Sequence, residues 1–145
     1  PIMHQATKRL VERYYEAFNS QDIDALLELL SEDVMFDVNR GQREAGKTAF
    51  GQCMRQLNAR YQEHIFDIEI MTNDDGSRAA AEFTGLGSCM DEIGDGGRPP
   101  DLGQTYRLPG GAFFEVEDGK IVRVSANYNP NTLLAGQMDR ITRVA

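Results

Sequence analysis

Tyr106-Arg107-Leu108-Pro109-Gly110-Gly111-Ala112-Phe113-Phe114-Glu115-Val116-Glu117-Asp118-Gly119-Lys120-Ile121-Val122-Arg123-Val124-Ser125-Ala126-Asn127-Tyr128-Asn129 decides the fold. Its second half alternates. Val122, Val124, Ala126 and Tyr128 fall on one side, and Ile121, Arg123, Ser125, Asn127 and Asn129 on the other, the two-residue period of a half-buried strand. Ala112 to Val116 is rich in aromatic and β-branched residues, as strands are. Between the two, Glu117-Asp118-Gly119-Lys120 carries the Asp-Gly signal of a tight hairpin turn. Everything earlier must pack on this hairpin or pair with it. The face ending in Tyr128 is apolar with one polar tip, as the wall of a small-molecule pocket is.

Upstream, residues 3–18 read as an amphipathic helix with Leu10, Val11, Tyr14, Tyr15 and Phe18 on its apolar stripe. Asp22 caps a second helix carrying Ile23, Leu26, Leu27 and Leu30, which is expected to stop near Ser31-Glu32-Asp33. A short strand, Val34 to Val38, precedes a loop at Asn39-Arg40-Gly41. A third helix over about Lys47 to Asn58 buries Phe50, Met54 and Leu57. Then come a strand from Glu63 to Thr72, a turn at Asn73-Asp74-Asp75-Gly76, and a return strand from Arg78 to Met90. In the first of these, His64, Phe66, Ile68 and Ile70 alternate with Ile65, Asp67, Glu69 and Met71. Asp91 to Gln104 is a Gly/Pro/Asp-rich loop and a candidate lid, and Leu133 to Val144 a short C-terminal helix. Helices followed by an antiparallel meander make an α+β fold.

At 145 residues the chain reads as one domain spanning 1–145, with 41% hydrophobic and 26% charged residues. A net charge of -8 disfavours nucleic acid and anionic membrane surfaces as partners. No apolar run approaches the ~20 residues of a membrane helix. The opening Pro1-Ile2-Met3-His4-Gln5 lacks the pattern of a secretory leader, and Cys53 and Cys89 fall on different elements. A cytoplasmic protein without disulfides is the expectation.

Arg13-Tyr14, Ala17-Phe18-Asn19, Asp22-Ile23-Asp24, Leu30-Ser31-Glu32-Asp33-Val34, Gly46-Lys47-Thr48-Ala49-Phe50 and the hairpin Phe113-Phe114-Glu115 to Gly119-Lys120-Ile121 resemble one family. It is the ketosteroid isomerase-related, SnoaL-like group of the nuclear-transport-factor-2-like superfamily. The resemblance implies a cone-shaped, curved, mixed or antiparallel sheet wrapped round three N-terminal helices (a cystatin-like fold). It also implies a conical pocket for a small apolar molecule, no cofactor, and a homodimer through the sheet. Carried over residue by residue, the isomerase oxyanion tyrosine falls on Tyr14. The base position falls on Val38, one past Asp37, and the oxyanion acid on Gly111 or Ala112. Two of the three functional groups are therefore replaced, which argues against strict steroid isomerisation.

Tyr14 and Asp37 are the catalytic candidates: a phenol as oxyanion donor, and the carboxylate nearest the missing base. Each has a plainer reading. Tyr14 is also a core tyrosine on the buried stripe. Strand alternation turns Asp37 away from Val34, Phe36 and Val38 unless a bulge re-aims it. Phe36, Val38, Asn39, Met54, Phe113, Val124, Ala126 and Tyr128 are the expected ligand-binding wall. Glu115 reads as a partner of Arg107 or Arg123 across the sheet. His4 and His64 have no ligand partners at metal spacing, so no metal is expected. Gly85-Leu86-Gly87 and Gly94-Asp95-Gly96-Gly97 do not lead from a strand into a helix, as a nucleotide loop does. Three hypotheses stand: an acid/base enzyme needing no cofactor, a small-molecule binder with the same pocket, and a sheet-mediated dimer without a ligand.

Overall fold

The computed structural model describes residues 2–37, 43–89 and 105–128, with backbone alone for Ile2, Cys89 and Tyr128. Val38, Asn39, Asn129, the Asp91–Gln104 loop and the expected C-terminal helix lie outside the described residues.

The chain runs α1 (Ile2–Asn19), α2 (Ile23–Glu28), β1 (Leu30–Asp37), β2 (Arg43–Ala45), α3 (Lys47–Arg60), β3 (Tyr61–Thr72), β4 (Arg78–Cys89), β5 (Thr105–Glu117) and β6 (Lys120–Tyr128). The six strands form one curved sheet in the order β2-β1-β6-β5-β4-β3, antiparallel except where β1 runs parallel to β6. Val11, Tyr14 and Tyr15 of α1, with Phe50 and Met54 of α3, pack on the inner face of that sheet. No helix among the described residues is long and apolar enough to cross a membrane.

The deciding hairpin forms as its sequence dictates. Glu117 pairs with Lys120, leaving Asp118 (φ 51) and Gly119 (φ 75) as a two-residue turn with both φ positive. Its strands depart from simple alternation. β5 starts at Thr105, well before Ala112, and Pro109 is accommodated just outside the Gly110–Tyr128 pair. In β6 the ladder steps from the Glu115–Arg123 pair to the Val116–Ile121 pair, so Val122 is an extra residue. That bulge turns Ile121 into the core beside Val124, although alternation sets it on the polar side.

A second bulge lies in β3. Phe66 pairs with Thr84 and Glu69 with Glu82, leaving Asp67 and Ile68 opposite Phe83 alone, and Asp67 takes φ 58. The bulge reverses the parity of the strand. Before it, Tyr61, Glu63 and Ile65 share the inner row; after it, Ile68 and Ile70 pack on the core. The even positions His64 and Phe66 are therefore on the outer row, not in line with Ile68. α2 also ends earlier than expected, at Glu28, and Leu30 begins β1. The reason lies far along the chain: Leu29 O accepts a hydrogen bond from Ile121 N (2.9 Å), which draws the chain onto β6.

Candidate functional site

A cavity of about 220 Å³ lies between the inner sheet face and the helices. Phe36, Leu108, Val124 and Ala126 line it from the sheet. Tyr14 and Phe18 of α1 and Phe50, Cys53, Met54 and Leu57 of α3 line it from the other side. Apolar walls with a few polar groups are the usual make-up of a ligand site, and the volume, below the ~300 Å³ of common drug-sized pockets, suits a compact ligand. Larger hollows of about 620 and 430 Å³ border α1 and the hairpin turns, and charged residues such as Arg13, Asp75 and Lys120 stand on their walls.

Of the residues expected at a site, Tyr14, Phe36, Met54, Val124 and Ala126 meet around this cavity. Tyr128 pairs through its backbone with Gly110. Phe113 does not join them: it pairs with Ser125 on the outer row and is 55% exposed. Its neighbours Ala112 and Phe114 take the inner positions, and a one-residue offset reverses the face. Asp37 borders the cavity, but its register partners Arg43 and Ser125 belong to the outer row. Its Oδ2 lies 3.6 Å from the Arg43 guanidinium, and its buried Oδ1 has no hydrogen-bond partner among the described residues.

Tyr14 packs edge-on against Tyr15 (5.2 Å between ring centres) and Phe114 (5.3 Å). Burial, and then the nearby Cys53, push its hydroxyl well above the ordinary tyrosine range. Burial does the same for Tyr15. Tyr14 is thus held as a neutral phenol, a hydrogen-bond donor at any physiological pH. Burial, then Glu44, likewise raise the Cys53 thiol.

The cavity has a polar group that strand patterning alone did not single out. Tyr106 Oη donates to Glu63 Oε2 at 2.6 Å, and both residues line the cavity. Such a length is that of a charge-assisted O–H···O⁻ bond. The two residues stand on β5 and β3, with β4 between them. Register explains the reach: Glu63 pairs with Gly87, and Gly87 pairs with Tyr106. All three occupy one row, and the middle one has no side chain. A Cβ on Gly87 would lie 2.6 Å from Tyr106 Cζ and Oη, so only glycine lets the phenol cross the strand. The signal in the sequence was Gly85-Leu86-Gly87. It is no nucleotide loop; its second glycine clears the path between a tyrosine and a carboxylate. Among the described residues no three His, Cys, Asp or Glu side chains group to hold a metal ion.

The profile of the SnoaL-like domain family matches residues 11–124. Among solved structures the chain is similar to a Xanthomonas campestris pv. campestris protein described as a "putative polyketide cyclase". That pair is 46% identical with TM-score 0.83, over 88% of this chain and 93% of that one. A Pseudomonas putida KT2440 protein described in the same words is 51% identical, with TM-score 0.80 over 86% and 92%. A "putative ketosteroid isomerase" from Kribbella flavida DSM 17836 shares the fold at 22% identity, with TM-score 0.64 over 87% and 79%. None of the curated proteins matches. The chain belongs to the SnoaL-like domain family.

Proposed function

We propose that the cavity is an active site for cofactor-free proton transfer on a small, largely apolar carbonyl compound, with Glu63 as base and Tyr106 as its proton partner. The observation that carries this reading is the 2.6 Å bond from Tyr106 to the Glu63 carboxylate inside an apolar cavity. Glu63 takes a proton from the carbon next to the carbonyl, and the electron pair moves to the carbonyl oxygen as an enolate. Protonation removes the charge that held the Tyr106 hydrogen bond. The phenol is then released to donate to the new oxyanion, where a preorganised donor acts most strongly. The enolate carries the reaction on by reprotonation at another carbon, by closing on a second carbonyl, or by expelling a β-hydroxyl. The relatives described as polyketide cyclases, at 46% and 51% identity, favour ring closure among these.

A non-catalytic binder is the second reading. It is favoured by Val38 and by Gly111 or Ala112 at the positions where the isomerase pattern has carboxylates. The homodimer through the outer sheet face belongs to either reading. Deuterium exchange at the α-carbon of 2-tetralone, followed by NMR, separates the two. The enzyme reading expects saturable exchange about a hundredfold faster than with an equal concentration of acetate, the lower end of what a placed base supplies. Exchange no faster than with acetate, alongside saturable binding, leaves the binder.

A further inference from the structure

We infer that a second site, apart from the cavity, binds a phosphate dianion between Arg13, Lys47 and Lys120, either the free ion or the end group of a monoester. The three cations come from α1, the first position of α3 and the first position of β6. They line one hollow of about 430 Å³, in which Glu28 is the one carboxylate among the lining residues. No residue lines both this hollow and the cavity between the sheet and the helices. Across the chain 15 lysines and arginines stand against 23 acidic residues. Three cations around one hollow with a single carboxylate therefore reverse the balance of the whole protein. A local positive field of this kind is what draws an anion to an otherwise acidic surface.

The fold holds these cations in place without neutralising them. Lys120 Nζ donates to Glu28 O at 2.7 Å, and Ile121 N donates to Leu29 O at 2.9 Å, so the start of β6 is clamped to the end of α2. An ammonium has three donors, and that bond uses one. The Lys47 side chain is only 25% exposed, while the Glu32 carboxylate 3.5 Å from it is 90% exposed. Such a pair is worth little, because the carboxylate keeps its water and salt screens the attraction. No acidic residue stands in the first turn of α3 to balance Lys47. Arg13 has no ion pair or hydrogen bond among the described residues. Arg9, one turn earlier on α1, is instead tied to Glu12 and Glu16 at 3.7 and 3.5 Å. A guanidinium without a carboxylate to grip matches two phosphate oxygens with its planar fork, and the two ammoniums add point charges beside it. A dianion balances the excess of three cations over one carboxylate, whereas a single carboxylate ligand leaves one charge over.

The test titrates the protein with methyl phosphate and with inorganic phosphate, at constant ionic strength and about pH 8, where the second phosphate proton is off. Phosphorus NMR follows the binding. Saturation at one site is expected, and the tighter of the two probes names the source of the phosphate. Arg13→Gln should weaken binding about tenfold, the loss of one charge-assisted contact, and Lys47→Gln should weaken it in the same direction. Arg9→Gln removes the same charge from the same helix but leaves the wall of the hollow intact. It should change the affinity by less than about twofold, since salt screens a charge outside the site. Thermal melts without phosphate show that each variant is folded; Arg13 has no partner to lose, so Arg13→Gln should melt with the parent. Binding that does not saturate, or that Arg13→Gln and Arg9→Gln change equally, overturns the site. Either result leaves the catalytic reading of the cavity standing, because the two share no residue.

Discussion

Three residues, Tyr14, Tyr15 and Gly87, act through what each is denied. Tyr14 and Tyr15 are denied water. Their folded-state pKa values are raised, so the folded protein keeps both protons at pH values where the unfolded chain loses them. Their contribution is therefore fully present below the ordinary tyrosine value of 10.0 and is lost as pH rises beyond it. Denaturant melts between pH 9 and 11.5 should show stability falling above pH 10 by up to about 1.4 kcal/mol per pH unit for each tyrosine. Tyr15→Phe should roughly halve that slope, and an unchanged slope would contradict burial of the two phenols as its cause. Gly87 is denied a side chain. Gly87→Ala places a methyl 2.6 Å from the Tyr106 hydroxyl and 2.9 Å from Gln62 O. It should cost about 1–3 kcal/mol of stability by overpacking, and α-proton exchange should be lost with the Glu63–Tyr106 bond. Stability within 0.5 kcal/mol of the parent would mean the row is looser than its register implies (~0.5 being the range of an indifferent surface change). The pair itself could not be read from the sequence, because its partners are 43 positions apart and meet only through the register of three strands.

At the scale of elements, strands and helices were legible wherever local periodicity ruled them. The Asp118-Gly119 turn, the Asp22 cap of α2 and the Glu115–Arg123 pair all follow from short-range rules, and the last is seen at 2.9 Å. What local rules miss are the two bulges, since a bulge is decided by what the neighbouring strand needs. At Val122 the extra residue brings Ile121 into the core, and at Asp67 it brings Ile68 inward. Edge protection is another long-range feature. β3 is the sheet edge, and the Asn19 side chain occupies both polar groups of Ile65, accepting from its N–H at 2.7 Å and donating to its C=O at 2.8 Å. An amide side chain at this point imitates one residue of a further strand, which guards the edge against a second chain. Asn19→Ala should cost about 1–3 kcal/mol in chemical denaturation, the penalty for leaving part-buried polar groups without partners. Asn19→Asp, which keeps the acceptor and loses the donor, should fall between the two. Equal stability of all three proteins would show that the bridge is ornamental.

For the molecule as a whole, the curvature of one sheet divides the apolar residues between two faces. The inner face holds the core and the cavity, and the outer face leaves Phe113 (55%) and Met71 (52%) exposed on a chain of net charge -8. An exposed aromatic on an outer row fits the proposed homodimer, so Phe113→Asp should shift the mass found by light scattering from dimer to monomer without loss of helix. A monomer before the substitution removes that proposal. The cavity raises the larger question of which carboxylate works in it. Asp37 is the candidate nearest the missing family base, yet its row is the outer one, and Arg43 lies 3.6 Å away. Glu63 stands on the inner row with a phenol bonded to it. The most direct measurement is therefore α-proton exchange of 2-tetralone by Glu63→Gln and Asp37→Asn side by side. With Glu63 as base, Glu63→Gln should lose about a hundredfold or more, as for removal of a placed base. Asp37→Asn should stay within about threefold of the parent rate (under ~0.7 kcal/mol). The reverse pattern would return the base to β1 and contradict the assignment of Glu63.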